Sequence, residues 1–378
     1  MKKEIEVIGA GPAGLVAAIT LARAGYGVTV FEGESGVGHR FHGDFQGLEN
    51  WSTGEDVTAL LVRLGIYSKL RRRALFRPYN EITVFDADLK RKVIKSKRPF
   101  FYLVQRGGAA GSLDTGLLEA ASDAGVNVVF NRKVDNIEGG GIVGTGPKAA
   151  DAIAKGVVFR TTMKDTAAAI LDDRLAPKGY AYLLVHEGQG TLATCMFKDF
   201  KNERECFERT VESFKKVFPS LDMAEKREFG GYGNFFFGKD AYENGRYYVG
   251  ESAGLQDCLW GFGMRYAMVS GRLAAMSIIN GQEYGALLQK ELLPMQRVAL
   301  ANRFLYERLG NNGYNRFIRN FLTGDIIEKI RKQYNPSLFK SIVYPLAKWR
   351  YKSRLVDKGC HGEDCVCVWC RCRKDRVC

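Results

Sequence analysis

The sequence predicts an α/β fold with three parts. They are a Rossmann-like dinucleotide-binding domain assembled from separated stretches of chain, a second domain around an antiparallel sheet, and a helical C-terminal region. Three observations carry this. The chain opens on an apolar strand, a glycine turn and a helix, KKEIEVIGAGPAGLVAAITLARAG. Short strand-like runs separated by turn residues follow one another between Gly156 and Phe197. A second strand–glycine loop–helix segment, GESAGLQDCLWGFGMRYAMVSGRLAA, spans Gly250–Ala275.

In the opening unit, Ile5, Val7 and Ile8 form the strand and Gly9 ends it. Gly9, Gly11 and Gly14 give the G-x-G-x-x-G spacing, with Pro12 and Ala13 inside it, and Leu15–Ala24 has helical periodicity. The first glycine suits a tight turn, the second a close approach of backbone to pyrophosphate, the third close packing of helix on strand. Free amides and the helix dipole at that turn favour an anion. A second strand, Gly27–Phe31, ends in Glu32, placed where a carboxylate meets a ribose. The expected ligand is FAD or NAD, and Glu32 argues against a 2′-phosphate.

A chain of 378 residues, 46% of them apolar, supports two substructures with sizeable cores and excludes a disordered protein. No apolar run approaches the roughly 18 residues of a membrane span. Lys2 and Lys3 precede apolar residues, but Glu4 and Glu6 interrupt any signal sequence, so the cytoplasm is the expected location. The net charge is +14, concentrated in Arg71–Arg73, Lys90–Arg98 and the acid-free stretch Lys329–Arg354. That last stretch mixes basic residues with Tyr334, Phe339, Tyr344, Trp349 and Tyr351. The mixture suits an anionic membrane surface and a peripheral membrane protein. A helix packed on the body with solvated charges gives the same pattern, and nucleic acid is the least favoured partner.

Six cysteines crowd the last nineteen residues, and Cys365, Cys367, Cys370 and Cys372 have the thiolates for a soft metal. A second C-x-x-C at finger spacing is missing, so no metal is assigned and an incidental tail is the competing reading.

Between the two glycine segments the elements run as follows. A glycine-rich loop, Gly33–Asn50, carries His39, Arg40 and His42; the two histidines suit catalysis, but cofactor contact or simple solvation of the loop is the commoner role. A helix is expected over Gly54–Leu64, strands over Ile82–Phe85, Lys92–Ile94 and Phe100–Val104, a helix over Leu113–Ala124 and a strand over Val126–Phe130. Gly139, Gly141 and Gly144 repeat the glycine spacing without a helix to follow, so Ile142–Pro147 reads as a strand returning to the dinucleotide domain. Gly156–Thr162, Tyr180–Val185 and Thr191–Phe197 read as antiparallel strands, with a turn at Gly188–Gly190. Glu203–Phe218 reads as a helix and Arg246–Val249 as a strand.

The Gly250–Ala275 segment, taken with GAGPAG, resembles the flavin-contacting motifs of the geranylgeranyl reductase family of glutathione-reductase-like FAD flavoproteins. The resemblance spans about Lys3–Asn280 and implies FAD. Glu251 then takes the place of the acid facing the ribityl or pyrophosphate group. Gly250 and Gly254 bring backbone close to the cofactor. Gly261, Phe262 and Gly263 pass flat against the ring, and the helix start at Met264 points its dipole there. Arg40 and Arg106 are further expected cofactor contacts.

Tyr180, Tyr182, Gly188 and Gly190 resemble the family's substrate-sheet motif, with Tyr182 in place of its Trp, and Phe235–Phe237 lie near that sheet. The implied boundaries are 1–50, 105–158 and 240–285 for a discontinuous FAD-binding domain and 51–104 with 159–239 for the substrate domain. Residues 286–358 form the basic helical region and 359–378 the Cys-rich tail. The implied reaction is hydride transfer from reduced flavin to a C=C bond of an isoprenoid or similar apolar lipid. Tyr180 and Tyr182 are the candidate proton donors. The electron donor is NAD(P)H or reduced ferredoxin, an acidic partner suited to a basic surface. A flavin monooxygenase or halogenase-like enzyme, and a non-catalytic flavin-bound protein, are the alternatives.

Overall fold

The computed structural model describes residues 3–235, 241–321, 324–351 and 367–370. Strand β1 (Glu4–Ile8), helix α1 (Pro12–Arg23) and β2 (Gly27–Phe31) form the opening unit. Next come β3 (Phe45–Glu49), α2 (Val57–Arg63), α3 (Tyr67–Arg73), β4 (Arg77–Tyr79), β5 (Glu81–Phe85), β6 (Arg91–Lys95) and β7 (Phe101–Gln105). α4 (Leu113–Asp123), β8 (Asn127–Val129) and β9 (Gly141–Val143) lead into β10 (Ala152–Arg160), β11 (Thr166–Ile170), β12 (Tyr180–His186) and β13 (Gln189–Met196). α5 (Glu203–Val217), β14 (Ala224–Gly233), β15 (Tyr242–Glu243), β16 (Arg246–Tyr248) and α6 (Met264–Asn280) follow. The C-terminal region holds α7 (Tyr284–Glu291), α8 (Leu293–Tyr306), α9 (Gly310–Phe321), α10 (Ile326–Tyr334) and α11 (Leu338–Arg350).

Three separated stretches build the first sheet, in the order β15-β16-β9-β1-β2-β8, parallel except for the β15–β16 pair. α1 is buried along most of its length and packs against both α4 and α6, which is why its sequence is apolar nearly all round. This is the Rossmann-like arrangement, and it is discontinuous in sequence.

The second sheet runs β14-β10-β13-β12-β11-β5-β6 and is antiparallel except where β11 meets β5. β12 shows how the two-residue period of a strand sorts its side chains. Ala181, Leu183 and Val185 join the core beneath α5 with Phe207 and Phe214. Tyr180, Tyr182 and Leu184 face the other way, into a cavity. A small third sheet, β3-β7-β4, sits between these layers in sequence.

The structure departs from the sequence reading in several places. α1 begins at Pro12, three residues before the first expected helical position, because Pro suits a helix start. The segment expected as one loop, Gly33–Asn50, contains β3, whose partner β7 lies far along the chain (Phe45 opposite Gln105). β11 and β14 carry no strand signal: one is alanine-rich, and the other is a long edge strand with a charged first half. In the C-terminal region α8 packs against α7, α10 and α11. Among the described residues no helix is long and apolar enough to cross a membrane.

Candidate functional site

A cavity of about 1270 Å³ runs from the glycine turn after β1 to the inner face of the second sheet. At its first end, Gly9 has φ +93°, and a Cβ there would lie 2.4 Å from the Gly144 carbonyl oxygen. A Cβ on Gly14 would lie 2.0 Å from the Gly9 carbonyl oxygen. Gly11 differs: its φ is −79° and a Cβ would meet nothing within 4 Å. Gly9 and Gly14 are thus required by the turn itself, whereas Gly11 keeps space open. No side chain caps α1, so its first amides are left for a ligand. Gly9, Gly11, Pro12 and Ala13 line the cavity.

Glu32 lines the same end. Its Oε2 accepts from the Ala10 amide at 2.8 Å and its Oε1 from the Glu34 amide at 3.1 Å, so the carboxylate is held at the end of β2. Further along, Arg40 donates to Glu251 Oε2 at 3.3 Å and to the Tyr232 carbonyl at 2.6 Å. Burial pushes the Glu251 carboxyl up against the opposing pull of Arg40. Arg106 lines the cavity wall with its guanidinium already committed: Nε and Nη2 each meet Asp114 at 2.9 Å, and the group lies 3.9 Å from the Phe41 ring centroid.

The far end is the Leu259–Met264 loop and the start of α6. Gly261, Phe262, Gly263 and Met264 line the cavity, and α6 starts without a side-chain cap. Side chains from distant elements hold this loop. Tyr180 Oη donates to the Trp260 carbonyl at 2.9 Å. Arg303, fully buried on α8, donates to the Leu259 carbonyl at 2.9 Å and to the Lys178 carbonyl, and stacks 4.1 Å from the Phe197 ring centroid. Gln296 donates to the Gly254 carbonyl at 2.5 Å, and Gly254 itself lies off the cavity lining while Gly250 lies on it.

Asp257 accepts from the Leu259 and Trp260 amides at 3.2 and 3.0 Å and from Tyr334 Oη at 3.1 Å. Burial outweighs these bonds and pushes its carboxyl up to about 7. Tyr334, at the end of α10, lines the cavity. Asp257 did not stand out in the sequence, and Tyr334, expected with the aromatic residues of the basic stretch, is buried here instead, because α10 folds back over the loop.

Tyr180 and Tyr182 both line the cavity with ring centroids 6.2 Å apart, and burial holds both hydroxyls far above the usual tyrosine range. Phe235 is buried beside Phe197 and Tyr351 and off the cavity lining, while Phe236 and Phe237 lie outside the described residues. Of the four tail thiols, Cys365 and Cys372 lie outside the described residues. Cys367 is buried with Val368 and Trp369 against Ile153, Met196 and Phe200. Among the described residues no cluster of three or more His, Cys, Asp or Glu side chains could hold a metal.

Comparison with known proteins places these features in a wider set. Residues 7–47 match the family model of an NAD(P)-binding Rossmann-like domain. No curated protein matches the chain in sequence. Among solved structures, a geranylgeranyl bacteriochlorophyll reductase-like protein from Thermoplasma acidophilum has a TM-score of 0.67 at 16% identity, covering 94% of this chain and 98% of that one. A triple mutant of the flavin-dependent brominase Bmp2 has a TM-score of 0.66 at 14% identity, covering 93% of this chain and 99% of the other. The p-nitrophenol 4-monooxygenase PnpA from Pseudomonas putida has a TM-score of 0.57 at 16% identity, covering 87% and 99%. At these identities the shared property is the fold.

Proposed function

We propose that the chain is an FAD-dependent oxidoreductase that reduces C=C bonds of an isoprenoid or other apolar lipid. The observation that carries this reading is the cavity that begins at the glycine turn and ends between an aromatic sheet face and a second glycine loop. Three features fit FAD. Gly11 leaves open space beside uncapped helix amides for a pyrophosphate. Glu32 presents a fixed carboxylate to a ribose. The uncapped start of α6 offers a positive dipole end to an electron-rich ring edge.

When bound and reduced, FAD would supply a hydride for one carbon of the double bond, leaving the protein to bind the substrate, exclude water and supply the proton. Tyr182, Leu184 and Ala167 give the substrate an apolar wall that excludes water. Tyr180 keeps the loop in place through Trp260, so its hydroxyl acts as a positioning group. The Tyr334–Asp257 pair is a further candidate proton source for the second carbon: Tyr334 lines the cavity, its Oη donates to Asp257, and burial pushes the Asp257 carboxyl up to about 7. The electron donor is NAD(P)H bound in passing or a small acidic redox protein such as ferredoxin. The second glycine repeat runs into β9 instead of opening a helix, so it offers no second dinucleotide site.

A second reading is a flavin halogenase or monooxygenase, favoured by the nearly equal TM-score of the brominase. One experiment separates them. The purified protein is reduced with dithionite under nitrogen and given prenyl lipids. Flavin reoxidation with a gain of two hydrogens per double bond, read by mass spectrometry, supports reduction. Reoxidation only with oxygen, together with a hydroxylated or halogenated product, supports the second reading. A protein that stays colourless after reconstitution with FAD overturns both.

A further inference from the structure

α11 is apolar on two sides, and only one of them is packed. Val343 and Ala347 are buried on the side toward α8, Tyr344 lies 5.9 Å from the Arg297 guanidinium, and Lys340 donates to the Gln333 and Asn335 carbonyls at 2.6 and 3.0 Å. The other side carries Leu338, Ile342, Leu346 and Trp349, with Phe339 at its edge. Their exposures are 80, 64, 57, 77 and 60% respectively. The spacing puts them on one stripe of the helix. Among the described residues the remaining large exposed apolar side chains are Val62, Tyr242 and Leu309, scattered on other elements. A contiguous apolar stripe of this kind marks an interaction surface, whereas scattered residues do not.

The charge on α11 itself is of one sign. α11 contains no acidic residue, and Lys332, Lys348 and Arg350 are exposed on or beside it. A basic amphipathic helix with Trp and Phe on its apolar side matches a headgroup–acyl boundary of negative charge. α8, on which α11 packs, also presents Leu305 and Tyr306 to the cavity, and Leu309, Phe317 and Ile330 continue that lining through the C-terminal helices.

We propose that the unpacked side of α11 docks the protein on an anionic lipid bilayer, with Leu338, Ile342, Leu346 and Trp349 in the interface and the flanking lysines and arginines on the headgroups. This rests on the reading of an apolar lipid substrate, because α11 packs by its other side on α8, which lines the cavity, yet it is tested without turnover. Removing α11 is the wrong test, since its packed side covers α8 and its Lys340 holds the carbonyls at the end of α10.

The full-length flavin-loaded protein is instead sedimented with vesicles of phosphatidylcholine containing about one-third phosphatidylserine. The expected result is co-sedimentation that weakens with added salt and is at least tenfold weaker with phosphatidylcholine alone. A blue shift of tryptophan emission should disappear in Trp349→Phe. Ile342→Glu with Leu346→Glu should lose vesicle affinity at least tenfold while keeping the flavin spectrum and melting temperature. The proposal is overturned if the wild type stays in the supernatant. It is also overturned if the double variant binds vesicles as well as the wild type, or if the variant's main effect is to dissociate a dimer or release a soluble protein. Loss of lipid reduction with vesicle binding retained would sink the substrate reading and leave the docking intact.

Discussion

The two glycine loops at opposite ends of the cavity are held in different ways. The Gly9–Gly14 turn is fixed by its own backbone: Gly9 donates to the Phe31 carbonyl at 2.8 Å, and Gly14 packs against Gly9 with no room for a side chain. The Leu259–Gly263 loop is fixed by side chains that arrive from β12, α8 and α10. The first loop draws most of its contacts from the opening unit, with Gly144 packed against Gly9, whereas the second adds side chains from three distant elements to its local Asp257 bonds. Substitutions should damage the first loop through backbone clash and the second through lost hydrogen bonds.

The largest effect is expected at Gly14→Val, where the added atoms meet the Gly9 carbonyl and the opening unit cannot close. The protein should fail to accumulate in soluble, folded form, read by expression and circular dichroism. Gly11→Val should fold, because its Cβ meets open space, and yet stay colourless after FAD reconstitution. A yellow Gly11→Val protein would break the assignment of that space to the pyrophosphate.

In the second loop, Arg303→Met removes two carbonyl partners and a ring contact from a fully buried position. It should cost about 3 kcal/mol in urea unfolding and weaken flavin retention. Asp257→Asn sharpens the comparison through pH. The folded carboxyl titrates near 7, above its ordinary value, so its contribution is fully present below about pH 4 and is lost as pH rises toward 7. Wild-type stability should fall by up to a few kcal/mol across that window relative to the Asn variant. Parallel curves would remove the titration from Asp257. If the pair also carries the proton, the variant should flatten the pH profile of turnover near 7, an effect that a purely structural role would not produce. The smallest effect is expected at Tyr180→Phe, about 1 kcal/mol for one hydrogen bond to Trp260, with flavin still bound.

The same contrast explains what the sequence made legible. The opening βαβ unit and the α6 start at Met264 were readable because glycines, periodicity and an acid at the strand end agree locally, while the returning strand, expected over Ile142–Pro147, runs over Gly141–Val143 and ends four residues earlier. β3 and β14 were not, since their pairing residues lie far away and their own composition is polar or short. Asp257 is a single acid in an apolar loop, and nothing near it in sequence announces Tyr334. Arg106 was read as a cofactor contact, and its bidentate pairing with Asp114, in the first turn of α4, was not legible. The C-terminal stretch was readable as basic and aromatic. That α8 and α10 use it to hold the cavity loop, while α11 turns a second apolar side outward, is a fact of packing.

The clamps on the Leu259–Gly263 loop also bear on the order of events during synthesis. Chains are made from the N-terminus and fold as their parts emerge. The glycine turn can form as soon as β1, α1 and β2 have left the ribosome. The loop at the other end waits for Arg303 on α8, and its Asp257 waits for Tyr334 on α10. A nascent protein should therefore bind the adenosine half of a dinucleotide before it closes around the rest, so that ribosome-stalled chains ending before α10 would hold the cofactor loosely.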